Sequence, residues 1–181
     1  EPRIERYFRW MSTFKPKVKR DIYTTEFAAE VAHNAAIDLL GNWFKQANGT
    51  GVLDATLLTD QMTYLPNDLL VKVDIASMAN SLEARAPFLD HKVIEFAASL
   101  PENIKMPRYR NKYLLKKVAA RLVPREVIYR RKMGFGVPVG HWFRKEMKDF
   151  VRDVLLSESF KTRGIIRPES VQTIVDQHIN G

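Results

Sequence analysis

Two short stretches of this chain carry side chains whose types and spacing could do chemistry. The first is Glu83-Ala84-Arg85, a carboxylate and a guanidinium two residues apart between apolar segments. At a cleft, such a carboxylate can position a proton donor, and arginine can grip an anion through two parallel N–H donors. The same two residues can equally be an ion pair that orders a turn. Flanked by apolar segments, the pair is expected to be partly buried, where losing one partner costs about 3–5 kcal/mol. The spacing leaves both readings open. The second stretch is Arg130-Arg131-Lys132-Met133-Gly134-Phe135-Gly136-Val137-Pro138, a cationic loop with two glycines. Glycine permits backbone angles and close approaches that other residues resist. Lysine is a mobile point charge suited to a phosphate oxygen or a developing leaving group. A surface turn with solvated cations is the plainer reading and stays open as well. The loop is neither a P-loop, G-x-x-x-x-G-K-[ST], nor a dinucleotide G-x-G-x-x-G loop, so a phosphate role needs other support.

The elements that must position these side chains are helical by pattern. Pro66 and Asn67 can start a helix along which Leu69, Leu70, Val73, Met78 and Leu82 recur at near-helical spacing. Asp74, Ser77 and Ser81 fall at i, i+3, i+7 and make one polar stripe on that rod. Pro87 biases Ala86 away from helical angles, which predicts a stop near Glu83–Ala86. Phe88 and Leu89 are then expected to return to a core, and Asp90 to N-cap a helix over 91–100. Elsewhere the spacing predicts helices over 1–14, 17–22, 26–40, 54–64, 112–122 and 140–156, a short one opening at Pro124 and a last one from about Pro168. Thr24 or Thr25 can cap the third of these. His33, among alanines, reads as an ordinary surface or core histidine. Period-2 alternation is almost absent, and there is no internal repeat or clear linker. The chain reads as mostly α.

With 181 residues and 45% hydrophobic content, the chain can build a core of its own. It has no cysteine, which excludes disulfides, thiolate metal sites and a cysteine nucleophile within these residues. No apolar run approaches the roughly 18 residues of a membrane span, and residue 1 does not open a signal peptide. A start without Met and an end just after a helical pattern lead to the expectation of a piece cut from something longer. The net charge of +8, clustered at Lys15–Arg20, Arg108–Lys117 and Arg130–Lys132, favours anionic partners. Nucleic acid is not the expected one, since no helix-turn-helix, zinc-ligand or aromatic ribonucleoprotein pattern accompanies the charge.

In family order, the blocks Tyr64-Leu-Pro-Asn-Asp-Leu-Leu-Val-Lys-Val-Asp74, Ser77-Met-Ala, Leu82-Glu-Ala-Arg-Ala-Pro-Phe-Leu-Asp90, Lys112-Tyr-Leu-Leu-Lys-Lys117 and Arg131-Lys-Met-Gly-Phe-Gly-Val-Pro138 resemble the synthetase domain of glutamine-hydrolysing asparagine synthetases. His178-Ile-Asn-Gly181 is similar to a late H-x-x-G of that family. The resemblance is specific over about residues 57–181 and less distinctive before them. It implies the helical C-terminal half of an adenine-nucleotide α-hydrolase-like α/β synthetase domain, residues 1–181 forming one such fragment. It also implies ATP and Mg²⁺, held mainly by upstream residues, with aspartate as substrate and ammonia delivered from glutamine by a glutaminase domain. The family adenylates the aspartate side chain and releases asparagine, AMP and pyrophosphate. Its nucleotide loop S-G-G-x-D-S, its acidic G-x-D-E segment and its glutaminase cysteine do not occur here. By resemblance Lys132 matches the catalytic lysine near the phosphates, and Glu83 and Arg85 match the E-x-R motif of the cleft. Asp74, Lys112 and Gly134 match recurring positions for which a structural or cleft-shaping role is expected.

The chain is therefore expected to be part of a cytoplasmic, ATP-dependent amide-forming enzyme, with a second copy of the chain as a further candidate partner and no metal ligands of its own. Alone it is expected to be inactive and to expose apolar surface that would favour self-association. A β-lactam-synthetase-like or other amidotransferase acting on a different carboxylate stays open. So do a basic helical nucleic-acid-binding module, with affinity falling steeply in salt, and a purely structural domain whose charged loops are inert.

Overall fold

A computed structural model describes residues 3–31, 35–47, 50–131, 133–134 and 136–180. Along the chain run α1 (Arg3–Met11), α2 (Pro16–Ile22), α3 (Thr25–Glu30), α4 (Ala35–Gln46), α5 (Val52–Met62), α6 (Val71–Met78), α7 (His91–Ser99), α8 (Glu102–Lys105), α9 (Tyr113–Ala119) and α10 (Arg125–Tyr129). They are followed by α11 (Val139–Arg144), α12 (Lys148–Leu155), α13 (Glu158–Lys161) and α14 (Pro168–Asn180). Among the described residues there is no strand, and a single antiparallel bridge joins Tyr23 to Ile166. None of the described helices is long and apolar enough to cross a membrane. The chain divides into two compact units, residues 1–8 with 36–132 and residues 9–35 with 133–181.

The first unit is organised on α5. Tyr7, Phe8, Ala47, Ala55 and Thr59 are its buried side chains, and Thr59 is fully buried. A buried hydroxyl must find a partner, and Thr59 Oγ1 donates to the Ala55 carbonyl one turn back at 2.8 Å. The Tyr7 hydroxyl donates to Asp60 on the same helix. Burial, followed by the hydrogen bond and the charge of Asp60, pushes the Tyr7 phenol well above its ordinary range. The open end of α5 is closed from a distance. Gly51 has no side chain to cap with, and Glu102 Oε1 accepts from the Leu53 and Asp54 N–H groups at 2.9 and 3.3 Å. Beside it Lys105 Nζ donates to Asp54 at 2.6 Å and to the Ala98 carbonyl at 2.8 Å.

The second unit packs α14 against α2, α11 and α12, with Ile22, Val171 and Val175 buried. Thr24 Oγ1 accepts from the Phe27 N–H at 3.2 Å, which confirms Thr24 as the cap of α3. Tyr23 and Phe27 meet edge to face, 5.0 Å between ring centroids. The helix expected over 26–40 is broken: Val31 takes extended angles, so α3 ends at Glu30 and a separate α4 begins at Ala35. His33 lies outside the described residues. The helix expected over 140–156 is likewise two, because the chain leaves helical angles at Lys145. Two short helices, α8 and α13, stand where no periodic pattern was long enough to predict one. Ser157 caps α13 through the Phe160 N–H at 3.1 Å.

Candidate active-site cleft

The stretch carrying Glu83 and Arg85 is built in three pieces. Residues Leu65–Leu70 form a π-helical turn, which hands over to α6 at Val71. Pro66 has no N–H to give to a regular ladder, and Asn67 bonds back to the Thr63 carbonyl through both its N–H (3.2 Å) and its side-chain amide (2.8 Å). The helix then stops earlier than Pro87 would require. Asn80 sends its side-chain amide to the Ala76 carbonyl at 3.0 Å, and Ser81 takes a left-handed conformation at φ 55°. The Leu82 N–H returns to the Ser77 carbonyl at 3.0 Å, the six-to-one bond that closes a helix C-terminus. Polar side chains competing for backbone groups thus end α6 at Met78, and Ser81 leaves the polar stripe expected to include it.

The extended run after this stop lays Ala84, Arg85 and Ala86 beside the rod. With Leu70, Val71, Val73, Asp74 and Leu89 they line a cleft of about 450 Å³, within the range of small-molecule sites. Arg85 Nε donates to Glu83 Oε1 at 2.8 Å. That leaves the two Nη groups for a planar anion, with Glu83 orienting the guanidinium from behind. Asp74 contributes a carboxylate to the same cleft. The expected burial is not found: the Arg85 and Glu83 side chains are 84% and 68% exposed. At that exposure the pair is screened by water and contributes about 0–1 kcal/mol, not the several expected of a buried pair. Phe88 is 66% exposed and does not return to a core, whereas Leu89 is half-buried. Asp90 does cap α7, accepting from the Lys92 N–H at 2.9 Å.

The remaining expected residues fall elsewhere. Lys112 is not among the residues lining this cleft; it sits at φ 56° before α9, and its carbonyl accepts from the Lys116 N–H at 2.9 Å. Lys132 and Phe135 lie outside the described residues. A side-chain carbon placed on Gly134 or Gly136 would meet nothing within 4 Å, and neither has a positive φ. His178 Nε2 lies 3.2 Å from the Gly140 carbonyl, a contact that ties α14 to α11. Among the described residues no three His, Asp or Glu side chains gather as metal ligands. The apolar lining residues Val71, Ala84 and Ala86 carry no chemistry and were not singled out in the sequence; the extended backbone after Ser81 lays Ala84 and Ala86 beside α6 as a wall.

A family model described as asparagine synthase matches residues 2–181. The chain belongs to that family. It is 30% identical over 177 residues to asparagine synthetase [glutamine-hydrolyzing] 1 of Bacillus subtilis (strain 168), covering 98% of this chain and 27% of the relative. A putative asparagine synthetase [glutamine-hydrolyzing] of Mycobacterium tuberculosis (strain ATCC 25618 / H37Rv) is 47% identical over 85 residues, 47% of this chain and 13% of the relative. The asparagine synthetase [glutamine-hydrolyzing] of Rattus norvegicus is 32% identical over 101 residues, 50% of this chain and 18% of the relative. The chain thus spans about a quarter or less of the length of these relatives. No solved structure matches it.

Proposed function

We propose that this chain is the helical part of the synthetase domain of an ATP-dependent amide-forming enzyme that makes asparagine from aspartate. Family membership along nearly the whole chain supports that reading, and the cleft shared by Asp74 and Arg85 is the observation that carries it to a site. In the proposed reaction a side-chain carboxylate oxygen of aspartate attacks the α-phosphorus of ATP, and the bond to the β-phosphate breaks to release pyrophosphate. Ammonia from glutamine then attacks the acyl carbon, the nitrogen loses its extra protons, and AMP leaves.

Arg85, whose Nη groups have no partner among the described residues and whose Nε is held by Glu83, has the chemistry to hold a carboxylate or phosphate in this cleft. Lys132 is proposed to stabilise the charge that develops on pyrophosphate as it leaves. Asp74, Lys112 and Gly134 are proposed to shape the surroundings. Mg²⁺ neutralises phosphate charge in such chemistry; the described residues bring together no carboxylates fit to hold it, so its ligands are proposed to come from other parts of the whole protein. The α/β parent fold, the cytoplasmic setting, the glutaminase domain and a homodimer belong to the same proposal.

The test is pyrophosphate release from ATP by the whole protein, with aspartate and ammonia, beside its Lys132→Ala variant. Release that depends on aspartate and falls by about 10²-fold or more in the variant, at least about 2.7 kcal/mol, supports both the reaction and the lysine's role. Release that ignores aspartate moves the search to another carboxylate. No release under any condition overturns the reading.

A further inference from the structure

We propose a second anion site in this chain, at α9 and α10, that takes an oligophosphate. Arg110, Asn111, Tyr113, Lys116, Lys117 and Tyr129 enclose a pocket of about 320 Å³, which shares no residue with the cleft of Asp74 and Arg85. Its wall holds three cations and no carboxylate. Among the described residues, Arg110, Lys116 and Lys117 make no ion pair. Crowded like charges normally repel and turn outward to water. Here ring faces lie against two of them, Lys116 and Lys117. Lys116 Nζ lies 5.7 Å from the centre of the Tyr129 ring, and the Arg125 guanidinium lies 5.4 Å from the same ring. Lys117 Nζ lies 5.4 Å from the centre of Tyr113. Electron-rich ring faces offset part of the repulsion between the cations, yet leave their N–H donors to an incoming anion.

A second observation lies next to the pocket. Arg108, Tyr109 and Lys112 all take left-handed backbone angles, at φ 48°, 60° and 56°. Three such residues within five positions, none of them glycine, are a concentration of backbone strain of the kind that gathers at ligand-binding sites. They flank Arg110 and Asn111, which line the pocket. The pocket is small for a polymer and large enough for a compact ligand. Three donors of fixed positive charge and two phenol hydroxyls match a di- or triphosphate group, free or at the end of a nucleotide.

The test is calorimetric titration of the whole protein with inorganic pyrophosphate at about 50 mM salt, where surface charge is least screened. The expected result is a pyrophosphate site that survives both Arg85→Ala and Lys132→Ala and weakens at least about tenfold in the Lys116→Gln/Lys117→Gln variant, the loss of one charge-assisted hydrogen bond. Lys117→Glu, which reverses one exposed charge, is the second variant and should weaken the same site. Unchanged pyrophosphate affinity in both the Lys116→Gln/Lys117→Gln and Lys117→Glu variants, or a site lost only in Arg85→Ala or Lys132→Ala, overturns the proposal. ADP that displaces pyrophosphate from this site assigns it to nucleotide phosphates; ADP that leaves it alone assigns it to free oligophosphate. A single-stranded oligonucleotide that binds through these lysines while pyrophosphate does not also overturns it.

Discussion

Phe8 and Phe88 are the same side chain in two regions of one compact unit, and the unit treats them oppositely. Phe8 sits in the core built on α1 and α5, where it is 8% exposed, and Phe88 beside the cleft is 66% exposed. Along α5, polar groups are partnered as well: Thr59 to Ala55, Tyr7 to Asp60, Lys105 to Asp54. On α6, α7 and the segment between them, the apolar residues Val73, Ile75, Met78, Leu82 and Phe96 are all about half exposed or more. Hydrophobic periodicity marks a face that favours burial, but it does not say what will bury it. The packed region holds the unit together, and the cleft region displays apolar surface and charge.

The largest expected effect follows from that contrast. Phe8→Ala should destabilise the chain by about 3 kcal/mol, the cost of emptying a packed aromatic site. Phe88→Ala should change its stability by less than about 0.5 kcal/mol, since water already surrounds most of the ring. Denaturant unfolding followed by helical circular dichroism reads both. Equal losses would break the comparison and place Phe88 in a core after all. The same contrast predicts that the isolated chain self-associates and binds an apolar dye, and that sedimentation velocity shows species larger than a monomer at micromolar concentration.

Much of the helical skeleton was legible. Apolar residues three and four apart marked α1, α5, α9 and α14, and the caps at Thr24 and Asp90 were readable because their side chains bond to groups only two or three residues away. The stop of α6 was not, since Pro87 is the louder signal and the real terminus is set by the Asn80 amide on the Ala76 carbonyl and the left-handed turn at Ser81. The break at Val31 interrupts a spacing that runs on unbroken in sequence. Glu83 and Arg85 were recognisable as a pair; their exposure was not, because burial depends on which distant segments arrive, and here none covers them. The capping of α5 by Glu102, 48 or more residues away, had no local signature at all.

That long-range cap gives the next effect in size. A side-chain carbon on Gly51 would stand 1.9 Å from Glu102 Oε1. The carboxylate is the end of a flexible side chain and can move, but then the N–H groups of Leu53 and Asp54 lose their acceptor. Gly51→Ala should therefore cost about 1–2 kcal/mol, the value of a good helix cap, and Glu102→Ala should cost as much. The double variant should lose little more than either alone, because both act through one contact. Additive losses would show that Gly51 matters for another reason.

Smaller again is the pH dependence of Tyr7. Its folded-state pKa is raised above the unfolded value of 10.0, so its stabilising contribution is complete below about pH 10 and is lost as pH rises further. Between pH 10 and 11 the wild-type chain should lose up to about 1 kcal/mol relative to Tyr7→Phe, which has no phenol to titrate. Thermal melts of both chains from pH 7 to 11 check this. Parallel curves would mean that Tyr7 ionises as freely in the folded chain as in the unfolded one.

The smallest expected effect on stability is at the cleft, and it is small for a reason that bears on function. An ion pair as exposed as Glu83 and Arg85 contributes at most about 1 kcal/mol. Arg85→Lys keeps the charge but loses the planar fork, and Glu83→Gln keeps the shape but loses the charge that orients it. Each should shift the unfolding midpoint by less than about 0.5 kcal/mol. In the whole protein each should slow aspartate-dependent pyrophosphate release by at least about tenfold, one charge-assisted hydrogen bond's worth. A large stability loss with proportionate loss of activity would return the pair to the role of a turn clasp. Full stability with full activity would leave it a solvated surface pair. Only intact folding with slowed release makes it part of the site.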